Sequence, residues 1–129
     1  MRILLDHIAF GVRDYEASKT FYAKALAPLG IALVAEIDAD NRAAGFGRDG
    51  NDDFWIDEGR PLGRVHVAFA ALSTDEVDAF HAAALEAGGR DNGAPGLRPE
   101  YHEKYYAAYI LDPNGNNIEA VFHGDEVAR

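Results

Sequence analysis

The sequence predicts an α+β fold built from two tandem βαβββ modules, whose strands form a curved mixed sheet around a central cleft with the helices outside. Three observations predict it. The chain repeats itself: Asp6-His7-Ile8-Ala9-Phe10 returns as Val65-His66-Val67-Ala68-Phe69, 59 positions later, without a gap. The same offset pairs Phe21 with Phe80, Ala25 with Ala84, Leu26 with Leu85 and Gly30 with Gly89. In each copy, period-two alternation gives way to helical spacing and then to short strands. One domain spans residues 1–129, with module one at about 1–60 and module two at about 61–124.

Module one opens with a strand over Ile3–Val12, where His7, Ala9 and Gly11 share one face and Ile8, Phe10 and Val12 the other. Asp14 is placed to cap the first helix. Phe21, Tyr22, Ala25, Leu26 and Leu29 form its apolar stripe, and Pro28 and Gly30 end it. Three strands follow, at about Ile31–Ile37, Ala43–Arg48 and Asp53–Asp57, with turns at Asp38–Arg42 and Asp49–Asp52. Gly59-Arg60-Pro61-Leu62-Gly63 joins the copies.

Module two restarts with a strand over Arg64–Ala71, its His66, Ala68 and Ala70 on one face. Ser73-Thr74-Asp75-Glu76 reads as a capping box, with Leu72 and Val77 as its hydrophobic staple. Val77, Phe80, Ala84 and Leu85 make the second helical stripe, which Gly88-Gly89 stops. Asn92–Pro99, rich in Gly and Pro, is expected to be a loop. Tyr105–Leu111 is an aromatic strand, Asp112-Pro113-Asn114-Gly115-Asn116 a tight turn and Asn117–His123 the last strand. The tail after Gly124 is expected to fray.

Composition narrows the function. A formal charge of −10 offers no basic stripe for phosphates, so a nucleic-acid partner is not expected. No apolar run reaches the roughly 20 residues of a membrane helix, and Asp6 interrupts the N-terminus too early for a signal peptide. With no cysteine, thiolate catalysis and disulfides are excluded, and a cytoplasmic location is expected.

The chemistry-bearing residues sit on the faces opposite the large apolar ones. His7 and His66 look into the cleft among small neighbours. Glu119 joins them, because Ile118, Ala120 and Phe122 take the apolar face of the last strand. A carboxylate on an inward face is costly unless it is paired or bound to a cation. Two imidazoles and one carboxylate form a facial set that leaves positions open for substrate. Tyr105, Ala107 and Tyr109 share one face and Tyr106, Ala108 and Ile110 the other, and one of these tyrosine rows is expected to border the cleft. Tyr101, Tyr105 and His102 are candidates to contact substrate or to act as acid–base groups. Trp55 is a candidate aromatic wall.

These elements resemble the vicinal-oxygen-chelate superfamily, which includes glyoxalases, bleomycin-resistance proteins, fosfomycin-resistance enzymes and extradiol dioxygenases. The matching segments are Asp6-His7-Ile8-Ala9-Phe10, the Phe21-Tyr22 helix, Val65-His66-Val67-Ala68-Phe69 and Leu111-Asp112-Pro113-Asn114-Gly115-Asn116-Asn117-Ile118-Glu119, spanning about Leu4 to His123. On the residues themselves, Glu119, Tyr105 and His102 are the catalytic candidates and Trp55 and Tyr101 the substrate-binding ones. The resemblance implies a divalent metal (Fe, Mn, Zn or Ni) at His7, His66 and Glu119. It also implies a homodimer. The glutamate that glyoxalases carry on the fourth strand falls here near Trp55, which cannot ligate a metal. The ligand set is therefore closer to the extradiol and fosfomycin-type pattern. The expected function is a divalent-metal-dependent enzyme acting on a small substrate that chelates the metal through neighbouring oxygens. The alternative is a metal-free binding protein of the bleomycin-resistance type, with an acidic, aromatic cleft for a cationic ligand.

Overall fold

The computed structural model describes residues 6–59, 61 and 63–124. The start of the expected first strand, Arg60 and Leu62 of the junction, and the tail expected to fray lie outside them. The order of elements is β1 (Ile8–Val12), α1 (Tyr15–Leu26), a 3-10 turn (Ala27–Leu29), β2 (Ala32–Ile37), β3 (Ala43–Gly47) and β4 (Phe54–Glu58), then β5 (His66–Ala70), α2 (Thr74–Glu86), β6 (Arg90–Leu97), β7 (Tyr106–Leu111) and β8 (Asn117–Phe122). The strands form two four-stranded sheets with the same layout, β1-β4-β3-β2 and β5-β8-β7-β6. In each, the first strand of the module runs parallel to its last, Ile8 opposite Phe54 and His66 opposite Asn117. The other pairs are antiparallel.

Local chemistry explains the elements. Asp14 caps α1 by accepting from the Ala17 N–H at 3.1 Å. Gly30 closes it in the left-handed conformation at φ 75°, with Pro28 in the 3-10 turn. Ser73 caps α2 by accepting from the Glu76 N–H at 3.1 Å. The return bond of this box runs from the Leu72 N–H, not from that of Ser73, to Glu76 Oε1. The expected staple does not form, because Leu72 is 75 % exposed while Val77 is buried. Leu85 also leaves its stripe for solvent, at 40 % exposure.

Each helix packs on the apolar face of its own sheet, and the two helices also pack against each other. Phe21, Tyr22, Leu26, Val77, Phe80, Ile110 and Ile118 therefore share one core. Each fully buried large apolar side chain contributes about 1.5–3 kcal/mol. Between the sheets, Phe54 meets Phe69 edge to face at 5.1 Å and the Arg48 guanidinium donates to Ala70 O at 2.6 Å.

The segment Asn92–Pro99, expected to be a loop, is largely strand: β6 runs over Arg90–Leu97. Its Gly and Pro residues are accommodated by register breaks between Asp91 and Gly93 and between Gly93 and Gly96. As β6 is a sheet edge, Pro95 can sit there without removing an inner ladder bond. Gly93 adopts φ 153°, and a Cβ there would stand 2.8 Å from the Tyr109 ring. Among the described residues, no helix is long and apolar enough to cross a membrane.

Candidate functional site

On β5 the alternation places Val67 and Phe69 against the core and leaves His66, Ala68 and Ala70 on the open face. Glu119 follows on the neighbouring strand, opposite Ala68. The carboxylate is 2 % exposed and faces His66, whose Nε2 lies 3.0 Å from Glu119 Oε1. His66 Nδ1 lies 3.0 Å from the Asn117 carbonyl oxygen. A carbonyl can only accept, so Nδ1 carries the proton and Nε2 is the nitrogen aimed at the carboxylate. The other carboxylate oxygen, Oε2, accepts from the Tyr105 hydroxyl.

Around this pair is a cleft of about 440 Å3 lined by His66, Tyr101, Tyr105, Tyr109, Asn117 and Glu119. Tyr109 stacks beside His66 at 6.4 Å, and the Arg98 guanidinium lies over its ring at 5.3 Å. Burial, and next the hydrogen bond to Glu119, hold the Tyr105 phenol well above the ordinary tyrosine range. Burial and the Glu119 charge push Tyr109 up to about 12. Both phenols are thus donors at neutral pH.

The structure brings together His66, Glu119, Tyr105 and Tyr101. The other expected site residues do not line that cleft. His7 precedes β1, with Nδ1 2.9 Å from Asp6 Oδ1, and lines a second cleft of about 430 Å3 between the modules, which His66 also borders. Among the described residues no three His, Cys, Asp or Glu side chains converge as a ligand set. Trp55 lies on β4 of the other sheet, between Ala9 and Gly45, and is not among the residues lining either cleft. A Cβ on Gly45 would stand 2.6 Å from the indole, so the glycine makes room for a ring lying across β3. His102 stands behind Tyr105. Its Nδ1 accepts from the Lys104 N–H at 3.1 Å, which leaves the proton on Nε2 to donate to His123 Nδ1 at 2.8 Å. Both imidazoles meet the Tyr105 ring edge to face.

The residues that sequence reasoning left out of the site are Tyr109 and Asn117. Tyr109 had a signal, its shared strand face with Tyr105. Asn117 had none, since it acts on His66 through its backbone carbonyl.

Known proteins share this architecture. The family model described as the glyoxalase/bleomycin resistance protein/dioxygenase superfamily matches residues 4–120. A glyoxalase/bleomycin resistance protein from Albidiferax ferrireducens T118 is similar at 34 % identity, over 93 % of this chain and 99 % of that one, with a TM-score of 0.76. Glyoxalase I from Zea mays shares the fold at 23 % identity and a TM-score of 0.70, over 91 % of this chain and 45 % of that longer one. Lactoylglutathione lyase from Agrobacterium tumefaciens shares it at 18 % identity and a TM-score of 0.68, over 93 % of this chain and 92 % of that one. No match is found among the curated proteins. A model match over nearly the whole chain, with a full-length relative above 30 % identity, settles the family: the chain belongs to the glyoxalase/bleomycin resistance protein/dioxygenase superfamily.

Proposed function

We propose that this protein is a divalent-metal-dependent enzyme acting on a small substrate that presents neighbouring oxygens, with His66 and Glu119 as two of the metal ligands and His7 as the third. One observation carries the reading. His66 donates Nδ1–H to a backbone carbonyl and turns Nε2 toward a buried carboxylate. That is the orientation in which a hydrogen-bonded carbonyl fixes an imidazole for a metal. An imidazole nitrogen and a buried carboxylate oxygen 3.0 Å apart are a donor set that fits a divalent ion.

A divalent ion held there supplies Lewis-acid stabilisation to a developing oxyanion, or, as iron, a place for a diol and dioxygen to meet. The chain's own groups do the rest. Glu119 is held by Tyr105, whose phenol stays protonated and donates to Oε2. The Tyr109 hydroxyl, also protonated, faces the same cleft as a donor to a substrate oxygen. Tyr101, 62 % exposed and edge to face with Tyr105 at 4.9 Å, forms the outer aromatic wall. His102, paired with His123, braces Tyr105 from behind.

His7 reaches the pair through a homodimer. Both β1 and β5 are sheet edges with one side unpaired. Setting β1 of one copy beside β5 of the other brings His7 to His66 and Glu119 on the open faces.

The test is the metal content of protein purified without chelator or affinity tag. About one divalent ion per chain is expected, lost in His66→Ala, Glu119→Gln and His7→Ala. Co-refolding His7→Ala with His66→Ala chains should restore metal to a fraction of sites, because one site of each hybrid dimer is intact when ligands come from two chains. Absence of metal, with no thermal shift on adding divalent ions, would sink the enzyme reading and turn the search toward cationic aromatic ligands.

A further inference from the structure

We propose that the turn Asp112–Asn116 is a positioning device for the His66–Glu119 pair, with Asn116 as its acting residue. The inference rests on the metal reading only for its second readout.

The turn is built around a buried carboxylate. Asp112, 2 % exposed, accepts at Oδ1 from the N–H groups of Asn114 and Asn116, both at 2.8 Å. Its Oδ2 accepts from Asn116 Nδ2 at 2.9 Å and from the hydroxyl of Tyr22 on α1. Asn114 adds two ties to the first module, accepting from the Arg13 N–H at 3.1 Å and donating to Ser18 Oγ at 3.2 Å. The turn is therefore fixed from below by the other half of the molecule.

From that fixed base the turn grips the residues leading into β5. The Asn116 carboxamide oxygen accepts from the Val65 N–H at 3.0 Å. The Asn117 N–H donates to Val65 O at 3.0 Å, and Asn117 O receives His66 Nδ1–H at 3.0 Å. Val65 and His66 are thus tied to consecutive residues of the opposing chain where the parallel ladder begins. The tie sets the register that puts Ala68 opposite Glu119. A slip of one residue would turn Glu119 to the core face, and a slip of two would move it about 6.6 Å along the strand. Asn116 is 2 % exposed and both ends of its carboxamide are engaged, so it has no freedom to relax.

The experiment compares Asn116→Ala with Tyr22→Phe. The first removes the bond to Val65. The second removes a bond to Asp112 and leaves the Val65 bond intact, so it controls for stability alone. The first readout is the hydrogen bond from His66 Nδ1–H to Asn117 O in metal-free protein at neutral pH, read from the shift and exchange rate of that ring N–H in 1H–15N spectra. The second is zinc affinity by calorimetry. Wild type and Tyr22→Phe should show the same slowly exchanging Nδ1–H, with zinc affinities within about twofold of each other. Asn116→Ala should exchange this proton faster and bind zinc about 10–100-fold more weakly, the usual cost of disturbing the group that orients a metal-binding imidazole, here Asn117 O. Asn116→Ser, with the same missing acceptor reach, serves with the same expectation if the alanine variant does not fold. An equally slow Nδ1–H and unchanged zinc affinity in the Asn116 variant would overturn the proposal. So would an equal disturbance in Tyr22→Phe. If no form binds zinc but the Nδ1–H signals separate as expected, the metal reading fails and the positioning role stands.

Discussion

Tyr22→Phe is the sharpest test of how the two modules are joined. The Tyr22 ring is buried among Phe21 and Phe54, both at 5.0 Å, and Phe46 at 6.3 Å. Phenylalanine keeps those contacts, so the substitution isolates the hydroxyl. What it removes is a buried hydrogen bond to Asp112 across the modules. Asp112 keeps three donors, the N–H groups of Asn114 and Asn116 and the Asn116 carboxamide, so its charge is not stranded. The cost is therefore that of one bond to a charged acceptor, about 1.5–3 kcal/mol. Urea unfolding at neutral pH should show a lower midpoint with an unchanged slope.

The loss should also depend on pH, with a definite sign. Burial, followed by the Asp112 charge, holds the folded Tyr22 phenol well above its ordinary value. A folded pKa above the unfolded one contributes stability that is fully present below the unfolded value, about 10. Above it, the unfolded chain gives up the proton while the folded chain does not. The advantage of wild type over Tyr22→Phe should then shrink by up to about 1.4 kcal/mol per pH unit, vanishing roughly one to two units above pH 10. A neutral-pH loss below about 0.5 kcal/mol, or an advantage that persists undiminished in strong alkali, would refute the reasoning.

Two further outcomes are expected. Gly45→Ala would set a Cβ 2.6 Å from the Trp55 indole, so the ring must move. Fluorescence of this sole tryptophan should shift toward that of an exposed indole, at a cost of about 1–3 kcal/mol, and an unchanged spectrum with unchanged stability would show that the ring does not lie on β3. At the acid end, hydrogen bonds from Lys19, Arg42 and His81 hold Glu36, Glu58 and Asp91 respectively below their ordinary carboxylate values. Their stabilisation is present above the unfolded values and fades as pH falls through the folded ones. The melting temperature should therefore drop in that window, and less steeply in high salt, because these pairs are exposed and screened.

Much of this protein is legible in one dimension because the information is local. The period-two and 3.6-residue patterns, the Asp14 and Ser73 caps and the Gly30 stop each depend on neighbours within a few residues, and each appears where the sequence places it. The duplication predicts two sheets of the same layout. The inward faces of His66 and Glu119 follow from alternation alone, since Val67, Phe69, Ile118 and Ala120 must go to the core. Local rules were overridden at two kinds of place. Gly and Pro over Asn92–Pro99 signal a loop, but pairing with β7 draws most of the segment into an edge strand by absorbing the irregularities as bulges. Leu72 has the spacing of a staple, yet it stays exposed.

What only the tertiary structure decided is which of the inward residues meet. Alternation states a face, not a distance. Long-range packing sets the distance, including the helix-to-helix contact between modules and the Asp112–Asn116 turn that ties β5 to β8. Thus the sequence by itself determined the modules, the core and the two facing residues His66 and Glu119. Only the fold could show that Tyr105 holds the carboxylate, that Asn117 fixes the imidazole through a backbone oxygen no side-chain pattern encodes, and that His7 and His66 border one cleft while Glu119 opens onto another.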